Sequence, residues 1–463
     1  MKKRLSIIAL LLLFTLMLAS CDSLLGVLPA PMTANALERR VNFKMNNYKN
    51  YRVDIEMNYT TYVGGKLTGT AKGFMIEDQG EKKDDYYSYM ELQNEVKNGS
   101  ASIRIRTVEA YCDGFAFSVF GDGAATRRLY AEMSVKEYNA YRQGESVTEL
   151  NLEDSKNADM EKTANGYVLK YSEYTPGAIE QFARASGLDR DLFGEDLKDL
   201  IVTMEVSHDY LPTKVTLELV FDVEEGAYYQ PKASMTMTYS QFGEAERVTK
   251  GLEPDKYTQI ESLSLLKDLQ QLIDDRTEAK KGSFTYTASQ SASLMTQSEK
   301  QNQTSKVTFE RTKDGLTYAM DVSGDGVTSY HAEYANGELS TETNGTTRTS
   351  KMGEEKAEKT IAELINDPAM GYNVSYISNI EKTDTGYLVT MLVTKNSTLG
   401  RSVAASGASF GNGTHTIEFV LDGDELKSMT VNYKAQGGVT IDMGWNTSMA
   451  TLHVNGRISV TFE

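Results

Sequence analysis

The segment Gly407–Gly411 has the residue types and spacing for nucleophilic catalysis. Its sequence, Gly-Ala-Ser-Phe-Gly, fits G-x-S-x-G, the turn that exposes a serine between a strand and a helix of a parallel α/β sheet. The surrounding sequence has no regular strand-helix alternation, so that sheet is not predicted. His415 shares strand parity with Ile417 and Phe419, which favours a packed side chain over a catalytic base. We therefore expect no serine hydrolase.

Two other segments match parts of known site motifs. Ser264 and Lys267 form S-x-x-K, but the companion S-D-N and K-T-G elements do not occur in the chain. The segment Asp321–Gly326 begins like a calcium loop, whose spaced oxygens surround the ion. The position that needs a bidentate glutamate is Ala332, so a hairpin turn is the better interpretation. Neither segment predicts a site.

The remaining metal-binding and nucleophilic side chains show no ligand spacing. The histidines are His208, His331, His415 and His453. Cys112 has no evident catalytic setting and is typical of a small buried hydrophobe. We therefore predict that the protein is not an enzyme and needs no metal or cofactor.

One stretch of the chain occurs twice. Residues 160–167, Met-Glu-Lys-Thr-Ala-Asn-Gly-Tyr, return as residues 380–387, Ile-Glu-Lys-Thr-Asp-Thr-Gly-Tyr, at an offset of 380 − 160 = 220. Shorter matches keep the same order, among them Tyr111–Gly114 with Tyr334–Gly337 and Thr203–Glu205 with Thr416–Glu418. The period is far too long for a solenoid repeat. The sequence therefore predicts a tandem duplication, with one domain over residues 34–249 and another over 257–463.

Each predicted copy begins with an amphipathic helix and continues with strands. The first helix starts near Asn35, and Tyr51–Tyr59 then alternates polar and apolar residues throughout. Such alternation is typical of an antiparallel strand with one buried face. The second copy starts with its own helix over Ile260–Ile273, after a linker at residues 250–256. The predicted fold class is α+β, with helices packed on one face of an antiparallel sheet in each copy.

Charge limits the classes of partner. The 463 residues carry a formal charge of −17, which becomes −17 − 3 = −20 without Lys2, Lys3 and Arg4. Nucleic-acid binding needs basic patches that neutralise phosphates, so we expect no nucleic-acid partner. Adsorption to anionic lipid by charge alone is disfavoured for the same reason.

The amino terminus has the pattern of a secretory signal. Residues 2–4 are basic, and the apolar run Leu5–Ala19 is too short to span a bilayer comfortably. The run ends in Leu-Ala-Ser-Cys at Cys21, which resembles the lipobox of bacterial lipoproteins. The resemblance implies a signal peptide over 1–20, a lipidated Cys21 in a tether over 21–33, and anchoring on the extracytoplasmic face of a bacterial membrane. The alternative is an ordinary signal peptide with an incidental cysteine.

A lipobox, a leading helix, a one-sided antiparallel sheet and helices inserted midway together resemble the LolA/LppX-like carrier fold. In that family a curved half-barrel holds helices on its concave face, and acyl chains occupy the space between. The resemblance implies a lipid or other apolar ligand in each copy, with Val53, Ile55 and Met57 lining the cavity of the first. The alternative is an envelope interaction or structural module with filled cores and no ligand.

Overall fold

The computed structural model divides the chain into two compact units, Met1–Tyr257 and Thr258–Glu463. It describes residues 32–45, 47–62, 66–80, 85–99, 101–123, 125–145, 155–176, 179, 197–222, 230–367, 372–442 and 447–463. Over these ranges, no helix has the length and apolar character required to cross a bilayer.

Unit 1 contains eleven described strands and two described helices of at least eight residues. The helices are α1 (Ala34–Met45) and α2 (Val135–Glu145). The strands are β1 (Asn50–Thr61), β2 (Leu67–Asp78), β3 (Tyr87–Asn98), β4 (Ala101–Cys112), β5 (Phe115–Gly121), β6 (Thr126–Glu132), β7 (Ser155–Thr163), β8 (Gly166–Tyr174), β9 (Leu197–Ser207), β10 (Pro212–Phe221) and β11 (Lys232–Ser240).

Unit 2 is built from the same kinds of element. After the two-residue strand β12 (Thr258–Gln259), its helices are α3 (Leu265–Thr277), α4 (Glu354–Asn366) and α5 (Thr398–Ala405). The strands are β13 (Lys281–Leu294), β14 (Gln297–Thr312), β15 (Gly315–Ser323), β16 (Tyr330–Ala335), β17 (Glu338–Thr343), β18 (Thr346–Lys351), β19 (Ile377–Thr383), β20 (Gly386–Met391), β21 (Ser409–Asp422), β22 (Glu425–Asp442) and β23 (Thr447–Phe462).

The two sheets have the same strand order when strands are counted within each unit. In unit 1 the order is β6-β5-β4-β3-β2-β1-β11-β10-β9-β8-β7, and in unit 2 it is β18-β17-β16-β15-β14-β13-β23-β22-β21-β20-β19. All described pairs among these strands are antiparallel. Tyr167 and Tyr387 are each the second residue of a corresponding strand, β8 and β20. The predicted α+β class is confirmed, while the duplication and its domain boundaries stay predictions.

Helices cover one face of each sheet, which we call the inner face. In unit 1, α1 contributes Leu37 and Val41 to a core that includes Val53 and Ile55 of β1. In unit 2, the Val403 side chain of α5 packs so closely on β22 that a Cβ at Gly437 would lie 2.7 Å from it. Strand alternation supplies the apolar partner for these helices, since every second residue of a strand points to the same face.

The opposite, outer face of unit 1 is also covered in part. The segment 245–257, which we call the strap, packs on an apolar cluster that includes Ile76, Tyr89 and Phe117. The Tyr87 hydroxyl donates to the carbonyl of Val248 at 2.9 Å and accepts from its amide at 2.7 Å. Residues 250–256, predicted as a linker, therefore belong to a segment held against the sheet.

Candidate functional site

The residues predicted to line a cavity lie in the core of unit 1. Val53, Ile55 and Met57 are each at most 2% exposed and share a cluster with Leu37 and Val41 of α1. The alternation that suggested an apolar face is therefore present, and the leading helix covers it. A ligand could reach these side chains only if α1 moved away from β1. Their role in ligand binding stays a prediction.

A buried polar group lies further along the inner face of unit 1. Glu109 of β4 and Arg127 of β6 are 4% and 2% exposed, although isolated charges are costly to bury. The Arg127 guanidinium donates to the Ser118 hydroxyl at 2.5 Å, and Ser118 is the register partner of Glu109. Burial raises the pKa of Tyr141 well above its usual value; the charge of Glu109 raises it further and that of Arg127 opposes this. Tyr141 of α2 therefore lies near both charges, and we call Glu109, Ser118, Arg127 and Tyr141 the buried charge network.

Aromatic side chains adjoin this network. Tyr138 of α2 stacks on Tyr111 with ring centroids 4.7 Å apart, and Tyr86 tilts against both rings. The Tyr86 hydroxyl donates to Glu77 at 2.7 Å, and the Ser88 hydroxyl donates to the other carboxylate oxygen at 3.2 Å. These contacts satisfy a buried carboxylate and fix α2 on the sheet. Sequence reasoning missed this group, because Glu109 and Arg127 look like solvated strand residues.

His415 is the buried histidine of the inner face of unit 2. It lies on β21 between Met391 and Tyr433 and is 5% exposed, with the parity expected from Ile417. Its Nε2 atom has no hydrogen-bond partner among the residues described. Burial lowers the pKa of His415 to about 4, so the ring is neutral near pH 7.

Acidification should destabilise unit 2 through His415. The folded chain keeps the ring neutral down to about pH 4, whereas the unfolded chain protonates it below 6.5. Its contribution to stability is therefore fully present above pH 6.5 and is lost as the pH falls toward 4. A pKa difference of about 6.5 − 4 = 2.5 corresponds to about 3 kcal/mol.

This effect is measured by comparing the original chain with His415→Val in denaturant titrations from pH 7 to pH 4. Fluorescence of the single tryptophan, Trp445, and far-ultraviolet circular dichroism would follow unfolding. As the pH falls from 7 to 4, the free energy of unfolding should decrease more for the original chain than for His415→Val. Parallel pH profiles would show that His415 is not protonated more readily on unfolding.

The other sequence candidates have structural partners. The Ser409 hydroxyl donates to the carbonyl of Gly438 at 3.1 Å, and Ser264 directly precedes α3 without a side-chain hydrogen bond to the helix. Asp321 contacts His331 at 2.7 Å, and the segment that begins there joins β15 to β16. Burial raises the pKa of Cys112 to about 11, and Asp113 adds to this, so the thiol stays protonated. Among the residues described, no group of three or more His, Cys, Asp or Glu could hold a metal ion.

The predicted lipidation site lies outside the described residues. Cys21, the signal peptide over 1–20 and most of the tether over 21–33 precede residue 32, where the described chain begins. Their roles therefore rest on the sequence.

Comparison with known proteins gives weak structural likenesses. No family model matches the chain, and no characterised protein sequence does. The solved structure of LprF from Mycobacterium bovis is 12% identical and covers 42% of this chain and 92% of its own, with a TM-score of 0.23. The Mycobacterium tuberculosis lipoprotein LppX is 10% identical and covers 43% and 93%, also with a TM-score of 0.23. Similarity at this level carries no argument about function.

Proposed function

We propose that this protein is a lipid-anchored extracytoplasmic protein that holds a lipid or other apolar ligand between sheet and helices. The observation that carries the ligand proposal is the inner face itself: in both units, helices pack on an apolar sheet face through side-chain contacts. In unit 1 the contact includes Leu37 and Val41 of α1 against Val53. A helix held mainly by apolar contacts can separate from its sheet when another apolar group replaces it, because hydrophobic contact is non-directional.

The anchor supports the same proposal from the sequence. The apolar run to Ala19 and the lipobox-like segment ending at Cys21 would place the protein at a membrane surface. Lipid is then the most abundant apolar ligand within reach. We propose no catalytic role, and the acidic chain makes nucleic acid an unsuitable partner.

The second candidate function is an envelope interaction or structural module with filled cores. The near-complete burial of Val53, Ile55 and Met57 beneath α1 favours it. Native mass spectrometry of the full chain, incubated with a bacterial lipid extract and transferred from mild detergent, separates the two functions. Retention of lipid by the folded chain supports the carrier, whereas a lipid-free spectrum under conditions that retain lipid on a known carrier supports the module.

Replacing Ile55 by tryptophan should reduce the amount of a fluorescent fatty acid bound per chain. The larger ring would occupy the position between β1 and α1 that the fatty acid needs, without adding charge. Overpacking of a core costs about 1–3 kcal/mol. Fluorescence titration measures the binding, and circular dichroism establishes that the variant is folded. Asn58→Trp is the matched control, because Asn58 is exposed on the outer face of the same strand. Unchanged binding in folded Ile55→Trp would exclude this face as a ligand site.

A further inference from the structure

A row of residues paired across neighbouring strands of the inner face differs in side-chain type between the two units. Register and the repeat Thr203–Glu205 with Thr416–Glu418 place His415 at the position of Val202. In unit 1 the row through β1, β11, β10, β9 and β8 consists of Met57, Met235, Leu217, Val202 and Tyr171. In unit 2 the corresponding row through β13, β23, β22, β21 and β20 consists of Gln290, Gly456, Tyr433, His415 and Met391.

At three of the five positions, unit 2 has a hydrogen-bonding side chain where unit 1 has an apolar one. All five residues of the unit 1 row are at most 2% exposed. In unit 2, Gln290 is exposed, and Tyr433 and His415 are each 5% exposed. The Tyr433 side chain lies over Gly456, since a Cβ there would be 2.4 Å from its hydroxyl oxygen. We call Gln290, Tyr433 and His415 the polar row; it runs from solvent into the interior.

The inner end of the polar row has an unused hydrogen-bonding atom. Within the described chain, Nε2 of His415 has no partner, and burying such an atom costs free energy that a packed valine would not. Burial lowers the pKa of His415 to about 4, so the ring is neutral near pH 7. Burial and the charge of Asp367 raise the pKa of Tyr433, and Asp367 accepts a hydrogen bond from Tyr286 at 2.5 Å. The His415 end therefore suits a neutral oxygen better than an ion.

Apolar side chains lie beside the polar row on the same face. Two rows nearer the β13–β14 turn, Leu294 pairs with Leu452, and Val454 lies in the row between. All three side chains are only half-buried, which leaves an apolar strip open to solvent. Rows on one face are about 7 Å apart, so a chain lying on the strip can place its end at the polar row.

We propose that the polar row of unit 2 binds the neutral, oxygen-bearing head group of an amphiphilic lipid whose hydrocarbon chain lies along Leu294, Leu452 and Val454. This inference rests on the proposed function and adds the ligand class and the unit that selects it. A head group with several hydroxyl or ester oxygens can bond to the neutral imidazole through one oxygen and to the Tyr433 hydroxyl, which lies toward Gly456, through another. An anionic head group would have to lose its hydration without a counter-charge on this row.

The test uses the full chain and two ligands with the same hydrocarbon chain, 1-monooleoylglycerol and oleate. Tryptophan fluorescence or calorimetry below the micellar concentration gives the dissociation constants. The original chain should prefer 1-monooleoylglycerol, and His415→Val should bind it about tenfold more weakly, the effect of one buried hydrogen bond. His415→Val introduces the residue type that unit 1 has at the corresponding position, Val202, so folding should be preserved. His453→Val is the matched control, because His453 is exposed on the outer face of β23.

Equal affinity of folded His415→Val and the original chain for 1-monooleoylglycerol would overturn the inference and leave lipid carriage intact. Preference for oleate would overturn the neutral head group. Failure of both lipids to bind the original chain would overturn the inference together with the proposed function. If His415→Val does not fold, Gln290→Leu provides the second test at an exposed position, and the inference then requires weaker binding of 1-monooleoylglycerol.

Discussion

Replacing Cys21 by alanine should abolish incorporation of labelled palmitate into this protein. Lipidation needs a thiol at the lipobox position to form the thioether, and the chain has one other cysteine, Cys112, far along the sequence. Each buried methylene contributes about 0.8 kcal/mol to membrane affinity, so two or three acyl chains give lasting attachment where one does not. The variant should therefore leave the membrane fraction, or accumulate as an uncleaved precursor.

Metabolic labelling in a bacterial host, followed by membrane fractionation, measures both effects. Cys112→Ala is the matched control, and it should keep the label because Cys112 lies at the end of β4, where burial raises the pKa of its thiol to about 11. Persistent label in Cys21→Ala would end the lipoprotein proposal. Loss of label in both variants would point to a destabilised precursor.

Replacing Arg127 by methionine should lower the free energy of unfolding of unit 1 by about 3–5 kcal/mol, the cost of removing one partner from a buried charge network. The variant removes the guanidinium and leaves the Glu109 carboxylate buried on the same face. It also removes the hydrogen bond to Ser118 and the positive charge near Tyr141. Helix α2 should then loosen first, because Tyr141 belongs to it.

Hydrogen exchange of β4–β6 and α2 measures this loss separately from unit 2, which a global melting curve would not. Arg128→Met is the matched control, since Arg128 is the next residue and is exposed on the outer face. The double variant Arg127→Met, Glu109→Leu should recover much of the stability, because an apolar replacement leaves no unpaired charge. Equal exchange rates in Arg127→Met and Arg128→Met would show that the network contributes little.

Strand alternation and amphipathic spacing predicted the elements that carry most of the core. The structure has β1 at Asn50–Thr61 where the sequence predicted a strand over 51–59, and α1 at Ala34–Met45 where it predicted a helix from about residue 35. Both patterns depend only on the order of polar and apolar residues within one element, so the local sequence is enough to predict which face is buried. The two-sided burial of β3 was not predictable in this way, since the strap that covers its outer face is distant in the sequence.

The polar parts of the inner face were beyond prediction for a related reason. Arg127 is followed by Arg128 in an ordinary polar strand pattern, and only the partner strands and α2 decide which arginine is buried. His415 was different, because its parity with Ile417 correctly indicated a packed side chain. The contrast between His415 and Val202 needs the register of both sheets, which a single sequence does not contain.

The strap has a consequence for anyone who divides this protein into its halves. Arg247 bridges Asp78 and Asp85 at 2.7 and 2.8 Å, and Tyr257 meets Phe117 with ring centroids 5.0 Å apart. A chain that ends at residue 249 would keep the ion pairs of Arg247 but lose the contact of Tyr257 with Phe117. Aromatic surface on β3–β5 would then be exposed to water. Exposed apolar strand faces promote self-association. A separately produced first unit should therefore extend through Tyr257. A shorter one that ends at residue 249 is expected to self-associate through this exposed surface even when it folds.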